Sequence, residues 1–521
     1  MDTLKNAALL NGQANIPLAG IRVTGGIHEL EADLSRSPHW NHDLAPTKLK
    51  NRKWGMWDIA ALWIGMSVCT TTYMLASSLI AQGMSWWQAI LTIALGNVVV
   101  LIPMILNAHA GTKYGISFPV YCRASFGVLG SNIPAVLRAL VACGWFGIQT
   151  WIGGWAIFKL MTVFYPSWDA LPAHYFGINA AQLGCFLGFW ALNMAIVWKG
   201  MESIRHVEGL SAPLLLVMGA ALLIWAYVKA GGFGPMLSQP SQFVAGGPRE
   251  GQFWSFFFPA LTGMVGYWAT LSLNIPDFTR YAKSQKDQMA GQALGLPTTM
   301  TLYSFVGVAV TSATIVIFGE AIWDPVVLLS KFSNPAIIIV SMLALTLATL
   351  TTNLAANVVS PANDFANLWP KKISFKIGGL ITGVIGILMM PWKLVADPTG
   401  YIFTWLIGYS ALLGSIGGVL LCDYFLIRRA KLELAELFRH PGAYSYLSGI
   451  NYRAVAALVS GVLPCLPGFL GTIGAADVSG FWMHMYHYAW FVSFAVSFGV
   501  YATLMGSPNA VRVSAAAKSK T

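Results

Sequence analysis

Apolar stretches of about 20 residues recur along most of this chain, and a helix of that length crosses the hydrocarbon core of a bilayer. Hydrophobic residues make up 56% of the 521 residues and charged residues only 10%, which excludes an ordinary soluble domain. The sequence therefore predicts an all-α polytopic membrane protein whose surroundings are the lipid bilayer.

We predict twelve transmembrane helices. Their residues are 56–81, 86–108, 133–163, 176–198, 205–229, 252–274, 296–319, 334–360, 374–392, 400–427, 452–473 and 484–505. Lys and Arg are concentrated in the loops on the side of the N-terminus. The positive-inside rule therefore predicts that both termini are cytoplasmic and that the helices cross the plasma (inner) membrane. Because these loops also account for the net charge of +11, the charge does not indicate binding to nucleic acid.

The third span carries Trp145 and Gln149 near its middle. Residues four apart lie one above the other on the same face of a helix. An indole beside a carboxamide forms a flat apolar wall with a hydrogen-bonding edge, which suits a planar, neutral ring that bears amide groups. The alternative interpretation is that Trp145 packs in the core and Gln149 bonds two helices together.

The first and the sixth spans are interrupted by small and polar residues. In the first span, Gly65 precedes a polar run that ends at Thr72. In the sixth, Gly263 and Gly266 precede the sequence Asn274–Asp277. Two spans broken in the middle, five spans apart, indicate an inverted-repeat transporter with its binding site at the breaks. Alternatively, each break is a notch of small residues that lets helices pack closely.

Hydroxyl and amide side chains cluster in the eighth span. Thr351 and Thr352 lie three and four residues after Ala348, so these residues share a face of the helix. Asn353 and Asn357 form a second pair four residues apart. Threonine hydroxyls and carbonyls of a broken helix supply the hard oxygen ligands that a small alkali cation needs. The alternative is that the hydroxyls bond to carbonyls of their own helix.

Several classes of function are disfavoured by what the sequence lacks. No Asp or Glu lies at the centre of a predicted span, which argues against a proton relay and against a charged substrate. The six cysteines are scattered and show no metal-binding spacing, and no catalytic motif of an enzyme is found. We therefore expect a transporter rather than an enzyme, with no cofactor other than a coupling ion.

Six segments of the chain resemble nucleobase–cation symporter family 1, and most of all its bacterial branch for hydantoins, allantoin and uracil. The segments are NHDLAPT (41–47), LWIGMSV (62–68), PMILNAHAGTKYGISFPV (103–120), CGWFGIQTWIGG (143–154), NIPDFTRYA (274–282) and TTNLAANVVSPANDFANL (351–368). Together they carry the resemblance from about residue 41 to residue 430.

The resemblance implies the five-plus-five inverted-repeat (LeuT-like) fold with two extra C-terminal helices. We therefore expect a cytoplasmic N-terminal tail (1–53), a transporter core of ten helices in two inverted repeats (54–430), two additional transmembrane helices (431–506) and a cytoplasmic C-terminal tail (507–521). We also expect a monomer.

The resemblance also implies roles for individual residues. In the family's hydantoin transporter a third-span Trp and a sixth-span Trp sandwich the substrate ring, which implies Trp145 and Trp268 here. Gln149 and Asn357 would bond the ring amides, and Asn353 belongs to the same expected substrate site. A sodium ion would be held by the carbonyls of Gly65, Val68 and Ala348 and by the hydroxyls of Thr351 and Thr352.

Cys69 departs from the family's pattern, in which the residue after Val68 is often an amide or a His that touches the substrate. A thiol is a weak hydrogen-bonding partner, so the substrate within the branch stays open. We expect a symporter that imports a neutral cyclic amide such as hydantoin, allantoin or uracil with one sodium ion by alternating access. The alternative is a proton-coupled purine/pyrimidine nucleobase permease of the cytosine type.

Overall fold

The computed structural model describes residues 20–199 and 201–506, and most of their backbone is helical. Two antiparallel strands, β1 (Ile21–Thr24) and β2 (Ile27–Leu30), form a hairpin before the first helix. The helices in chain order are α1 (Met56–Ser67), α2 (Thr70–Ala81), α3 (Trp86–Tyr114), α4 (Phe118–Phe126), α5 (Asn132–Phe164), α6 (Ala180–Lys199), α7 (Met201–Ala230), α8 (Phe233–Leu237), α9 (Phe253–Asn274), α10 (Pro276–Thr279), α11 (Gln285–Phe318), α12 (Pro325–Ser330), α13 (Pro335–Asn357), α14 (Val359–Leu368), α15 (Phe375–Leu388), α16 (Pro391–Leu394), α17 (Ile407–Leu421), α18 (Tyr452–Val462), α19 (Leu466–Thr472), α20 (Gly480–His487) and α21 (Ala489–Gly506).

The chain also contains short π-helical and 3₁₀-helical turns. π-helical turns at Gly400–Leu406 and Cys422–Ile427 flank α17. 3₁₀ turns lie at Leu49–Asn51, Pro166–Ala170, Leu434–Phe438 and Leu463–Cys465.

The predicted membrane architecture is confirmed. Within residues 20–199 and 201–506, ten helical segments are long and apolar enough to cross a membrane, and the bent pair α1–α2 makes an eleventh. The shorter apolar helix α15 coincides with the ninth predicted span. Each of the twelve predicted spans therefore coincides with a helical segment of an all-α polytopic membrane protein.

The sixth span is not broken in its middle, so that part of the sequence prediction was wrong. α9 runs without interruption through Gly263 and Gly266, and the chain bends only at Ile275, near one end of the span. A Cβ atom on Gly266 would lie 2.4 Å from the hydroxyl oxygen of Ser410 and 2.8 Å from the carbonyl oxygen of Leu406. The glycine is thus a packing notch that lets α9 approach the tenth span.

Residues 20–53 fold back onto the helix ends. The buried Arg52 side chain donates hydrogen bonds to the carbonyls of His28, Thr47 and Thr112, so it ties the hairpin to the end of α3. Asn41 donates to the Pro370 carbonyl, beyond α14, at 2.8 Å. The expected tails at residues 1–19 and 507–521 lie outside the described residues.

Two groups of helices meet in the middle of the molecule. α11 packs mainly against α1, α2 and α3, and α9 also packs against α3. In the second group, α5 packs mainly against α6, α13, α14 and α15. The broken first span and α9 therefore face α5 and α13, and the residues that the sequence singled out lie along this boundary.

Candidate functional site

The first span is broken between α1 and α2, as the sequence predicts. The two helices meet at Val68 and Cys69 with a bend of 60°. The amide of Cys69 donates to the carbonyl of Ser67 at 3.0 Å, whereas a continuous helix would direct it to Gly65. Among the described residues no donor is recorded for the carbonyls of Gly65 and Val68, so the break frees both oxygens for a ligand.

The break packs against α13. Val68 and Ala348 lie in the same buried apolar cluster, and the hydroxyls of Thr70 and Thr349 are 3.3 Å apart across the boundary. The hydroxyls of Thr351 and Thr352 each donate to the Ala348 carbonyl, at 2.8 and 3.0 Å. This is the own-helix bonding that the sequence left open as an alternative, and it leaves the lone pairs of both hydroxyls available to a cation.

The donor set suits a small alkali ion. It consists of five neutral oxygens on two facing segments, of which three are carbonyls and two are hydroxyls. Within residues 20–199 and 201–506, no group of three or more His, Cys, Asp or Glu could hold a metal ion. A transition-metal centre is therefore not indicated in this part of the chain, and the sodium site stays a prediction.

An aromatic enclosure lies beside the break. The ring of Trp145 contacts Tyr267 edge-on, with 5.2 Å between the ring centroids, and it contacts Trp405 at 5.9 Å. Trp268 contacts the other side of this group, since its ring lies 5.0 Å from Tyr267. Tyr401 lies 6.3 Å from Trp145 and extends the enclosure into the π-helical turn before α17.

Gly144 makes the position of Trp405 possible. A Cβ atom on Gly144 would lie 2.2 Å from the indole of Trp405, so no larger residue fits there without displacing that ring. Gly144 thus lets Trp405, in the tenth span, pack against α5 next to Trp145.

Tyr267, like Trp405 and Tyr401, is a residue of this site that the sequence analysis missed. Its hydroxyl lies 2.9 Å from the hydroxyls of both Thr71 and Thr72 and 3.5 Å from the Cys69 sulfur. It therefore joins the broken first span to the aromatic enclosure. Neighbouring residues on a helix point about 100° apart. Because the sequence analysis placed Trp268 towards the substrate, it did not expect Tyr267 to point there too. The sequence did contain one indication of this role: the polar run in the first span needs a buried hydrogen-bonding partner, and a tyrosine hydroxyl can provide it.

The amide side chains near the enclosure differ in whether their hydrogen-bonding groups are already used within the protein, and those of Asn353 are. Asn353 is fully buried and donates to the Phe146 carbonyl, the Thr150 hydroxyl and the Asn193 amide oxygen at 3.1–3.3 Å. Its own oxygen accepts a hydrogen bond from Asn357 at 3.0 Å. Its capacity is thus used within the protein. This geometry shows that Asn353 orients Asn357, and the expected contact of Asn353 with the substrate stays a prediction.

Gln149 and Asn357 keep free hydrogen-bonding groups. Gln149 lies between Phe146 and Thr150, the two α5 residues that contact Asn353, and makes no side-chain hydrogen bond within the described part of the chain. The Asn357 oxygen likewise accepts no hydrogen bond from a described residue. Gln149 is 5% exposed and Asn357 is 6% exposed. Unsatisfied amides at this depth are available for the N–H and C=O groups of a ring.

The enclosure is uncharged and closed. Trp145, Trp268 and Cys69 are at most 6% exposed, and the indole N–H group of Trp268 has no acceptor in the described part of the chain. In the absence of charged side chains among these groups, the enclosure favours a neutral ligand over an ionic one.

A short helix lies above the aromatic group. Trp323, just before α12, contacts the Tyr401 ring at 6.1 Å. The carboxyl of Asp324 accepts a hydrogen bond from the Val326 amide at 2.8 Å and so caps α12. Burial raises the pKa of Asp324 to about 6, against the opposing effect of its bonds to backbone amides and of Lys159.

Comparisons with known proteins agree with this geometry. Residues 46–493 match the model of a family described as permeases for cytosine/purines, uracil, thiamine and allantoin. The chain is 47% identical to a purine–uracil permease of Arabidopsis thaliana, over 89% of this chain and 77% of that protein. It is 41% identical to an allantoin permease of Bacillus subtilis, over 89% of this chain and 93% of the relative.

A solved structure shares the fold. It is a nucleobase-cation-symport-1 family transporter in a closed conformation with bromovinylhydantoin bound. The TM-score is 0.71 at 25% sequence identity, and the match covers 91% of this chain and 99% of that chain. The predicted fold class, the predicted family and the expectation of a transporter rather than an enzyme are confirmed by these matches.

Proposed function

Because this chain belongs to the family of permeases for cytosine/purines, uracil, thiamine and allantoin, we propose that it is a symporter which imports a neutral cyclic amide together with one sodium ion. Hydantoin, allantoin and uracil are the substrates we propose. The site lies at the boundary of two helix groups in a multi-pass membrane protein, as alternating access requires. We place the protein in the plasma membrane with both termini in the cytoplasm.

The observation that carries this proposal is the buried aromatic enclosure with unsatisfied amides at its edge. Trp145 and Trp268 offer ring faces, and Gln149 and Asn357 offer donors and acceptors that no described residue uses. A flat ring with alternating N–H and C=O groups satisfies both features at once. The relatives named for purine–uracil and allantoin, and the structural match with a bound hydantoin, support this class of ligand.

Sodium is supported by the chemistry of the second site. Its five oxygens are neutral, so a sodium ion would meet no opposing charge from these ligands. The ion would hold the break of the first span against α13. Because Tyr267 connects that break to the aromatic enclosure, ion binding would favour substrate binding, and the coupling would be reciprocal.

A competition experiment tests the substrate class. Cells that express the chain take up radiolabelled uracil in the presence of excess unlabelled uracil, allantoin, hydantoin, cytosine or adenine, with and without sodium. We expect at least one of the three cyclic amides to abolish uptake in the presence of sodium. Competition by cytosine and adenine alone, independent of sodium, would support the nucleobase permease of the cytosine type instead.

A pair of tryptophan variants shows whether the enclosure binds the ligand. Trp145→Ala removes a wall of the enclosure and should lower uptake of every competing ring. Trp254→Ala is the matched control, since Trp254 also belongs to a span but is 62% exposed. Equal uptake by the two variants at equal expression would remove the enclosure from the proposal.

A further inference from the structure

The segment 41–47 connects the two helix groups at the end of the molecule where the N-terminal hairpin lies. Its motif NHDLAPT carries part of the family resemblance but has no role in the ring enclosure or at the five cation ligands. Hydrogen bonds tie one part of this segment to the first helix group and the other part to the second group. The segment is therefore a candidate restraint on the separation of the two groups.

One part of the segment is bound to the first helix group. Arg280 directly follows α10, which packs against α3, and its Nε donates to the Thr47 hydroxyl at 2.7 Å. The other two nitrogens of this side chain donate to the carbonyls of Asp43 and Ala45, at 3.2 and 2.6 Å. The Thr47 amide donates to the carbonyl of Gly115, directly after α3, at 2.8 Å. Arg280 is 6% exposed, so water is largely excluded from these charge-assisted bonds.

The other part of the segment is bound to the second helix group. Asn41 is 9% exposed and donates from Nδ2 to the carbonyls of Pro370 and Ile373, at 2.8 and 3.3 Å, in the turn between α14 and α15. Lys371 in the same turn donates to the Ser35 carbonyl at 3.1 Å, in an exposed contact. Because Asn41 is a neutral donor and the Lys371 contact is open to water, this attachment is the weaker of the two.

The chain between the two attachments is short. Only His42 lies between Asn41 and Asp43, and two residues reach about 7 Å at full extension. The Asp43 amide donates to the side-chain oxygen of Asn41 at 2.8 Å, so the chain is folded here. A wider separation of the helix groups at this end must therefore break one attachment, and the bonds of Asn41 are the easier to break.

We propose that residues 41–47 form a strap, which holds the two helix groups together at this end of the boundary and releases at Asn41 when the end opens. Because we place this end in the cytoplasm, the strap opposes the inward-facing state. The inference rests on alternating access at this boundary, which belongs to the proposed function. It requires neither a particular ring substrate nor a particular coupling ion.

Double electron–electron resonance between spin labels on the two groups measures their separation. The labels are attached at Lys283→Cys, after α10, and at Lys372→Cys, between α14 and α15, since both lysines are exposed. All six native cysteines lie in the described part of the chain; five are buried and Cys185 is partly exposed, so Cys185→Ser prevents labelling there. The full chain is measured in lipid nanodiscs without sodium or substrate. We expect a short and a long distance, for the closed and the open end.

Asn41→Asp tests the point of release. The carboxylate keeps an oxygen for the Asp43 amide but cannot donate to Pro370 and Ile373. We expect the ratio of the long to the short distance to rise about three- to tenfold over the labelled parent chain, which is the effect of losing one net hydrogen bond. His42→Ala is the matched control, because the His42 side chain is fully exposed, and it should keep the ratio of the parent chain.

An insertion tests the length of the strap without removing a side chain. Four glycines between His42 and Asp43 lengthen the chain between the two attachments. The contacts of Ser37 and Trp40 with Phe438 precede this insertion, so they do not shorten the lengthened path. The ratio should rise in this variant too. The same insertion in the exposed turn of the hairpin, at residues 25–26, should leave the ratio unchanged.

The possible results separate the strap from the proposed function. If the long distance occurs but its share is the same in the parent chain, in Asn41→Asp and in the strap insertion, the strap is wrong and alternating access stands. A single short distance in every variant would count against both. The melting temperature of each variant is also measured. A higher ratio found only in variants that melt earlier would reflect partial unfolding and would overturn the strap.

Discussion

The unsatisfied amides Gln149 and Asn357 are the residues that most directly connect this fold to a ligand. Both are buried, and each keeps polar groups that no described residue uses. We expect Gln149→Ala and Asn357→Ala to insert normally and to lose about 1–3 kcal/mol of substrate binding, which is roughly ten- to hundredfold in affinity. Uptake and binding assays measure this loss. Normal affinity in both variants would exclude these amides from the site.

Replacing Asn353 should have a different effect from replacing Gln149. Because its hydrogen bonds go to α5 and α6, Asn353→Ala should lower the melting temperature as well as substrate affinity. Gln149→Ala should leave the melting temperature nearly unchanged, since Gln149 has no described side-chain partner to lose. This difference separates a ligand contact from a positioning residue.

Tyr267→Phe tests the connection between the two sites. The change keeps the ring contacts with Trp145 and Trp268 but removes the hydroxyl that joins Thr71 and Thr72 to α9. We expect the sodium concentration for half-maximal uptake and the apparent substrate KM to rise together, by about three- to tenfold, since a net hydrogen bond contributes about 1 kcal/mol.

Tyr409→Phe is the matched control for this prediction. It also removes a buried hydroxyl bonded to α9, in this case to the Gly266 carbonyl at 2.9 Å, but it does not touch the break. Its sodium dependence should match that of the unmodified chain. If both variants change sodium dependence equally, Tyr267 acts only through the stability of α9.

At the scale of helices, close packing between α9 and the tenth span depends on Gly266. A Cβ atom there would collide with Ser410 and with the Leu406 carbonyl, so we expect Gly266→Ala to destabilise the protein by about 1–3 kcal/mol. Thermal unfolding in detergent measures the loss. Gly184→Ala on α6 meets nothing within 4 Å and should be neutral or slightly stabilising. A neutral Gly266→Ala would show that the tenth span moves aside freely.

The two glycine-containing spans show what the sequence predicts and what it misses. The first span breaks where Gly65 is followed by the polar run that ends at Thr72, and this run is visible in the sequence. Its residues Cys69, Thr71 and Thr72 all contact the hydroxyl of Tyr267. The sixth span has similar composition but stays helical, because its glycines are opposite the side chains and carbonyls of a helix distant in the chain. The local sequence alone does not tell whether such glycines mark a break in the helix or a close contact with another helix.

The same limit applies to the candidate site. The third-span pair and the eighth-span oxygens could be chosen from spacing and resemblance, and their roles stay predictions. The position of Tyr267 and the hydrogen bonds of Asn353 depend on which helix each residue faces, and that follows from tertiary packing. The folding of residues 20–53 onto the helix ends was missed for the same reason, since the partners of Arg52 and Asn41 are far away in the sequence.

The short helix α12 makes a pH-dependent contribution to stability. Because burial raises the pKa of Asp324 to about 6, the folded protein binds this proton more tightly than the unfolded chain does. The resulting stabilisation is complete below the ordinary value near 3.8 and is lost as the pH rises through 6. We expect the melting temperature of the unmodified chain, relative to that of Asp324→Asn, to fall between pH 4 and pH 7.

Asn at position 324 keeps an oxygen for the Val326 amide, so the variant should lose the pH dependence without losing the cap of α12. Glu320→Gln in the same loop changes an exposed acid and serves as the control. Parallel melting curves for the unmodified chain and Asp324→Asn across this range would contradict the assignment.

For the whole molecule, the decisive question is which ion gradient drives accumulation. The boundary between the two helix groups carries the five neutral oxygens proposed as sodium ligands beside the break. We therefore expect sodium to be the driving ion.

Proteoliposomes separate these roles. An imposed sodium gradient at equal pH should accumulate substrate, and a pH gradient without sodium should not. Thr351→Ala should raise the sodium concentration for half-maximal uptake by roughly tenfold while leaving substrate selectivity unchanged, because it removes one neutral ligand worth about 1–2 kcal/mol. Thr346→Ala, which loses an equivalent bond to the Met342 carbonyl of its own helix and lies two residues before Ala348, should keep the normal sodium dependence. If sodium-free vesicles accumulate substrate on a pH gradient as well as sodium-loaded vesicles do, the five oxygens have a structural role and sodium is not the driving ion.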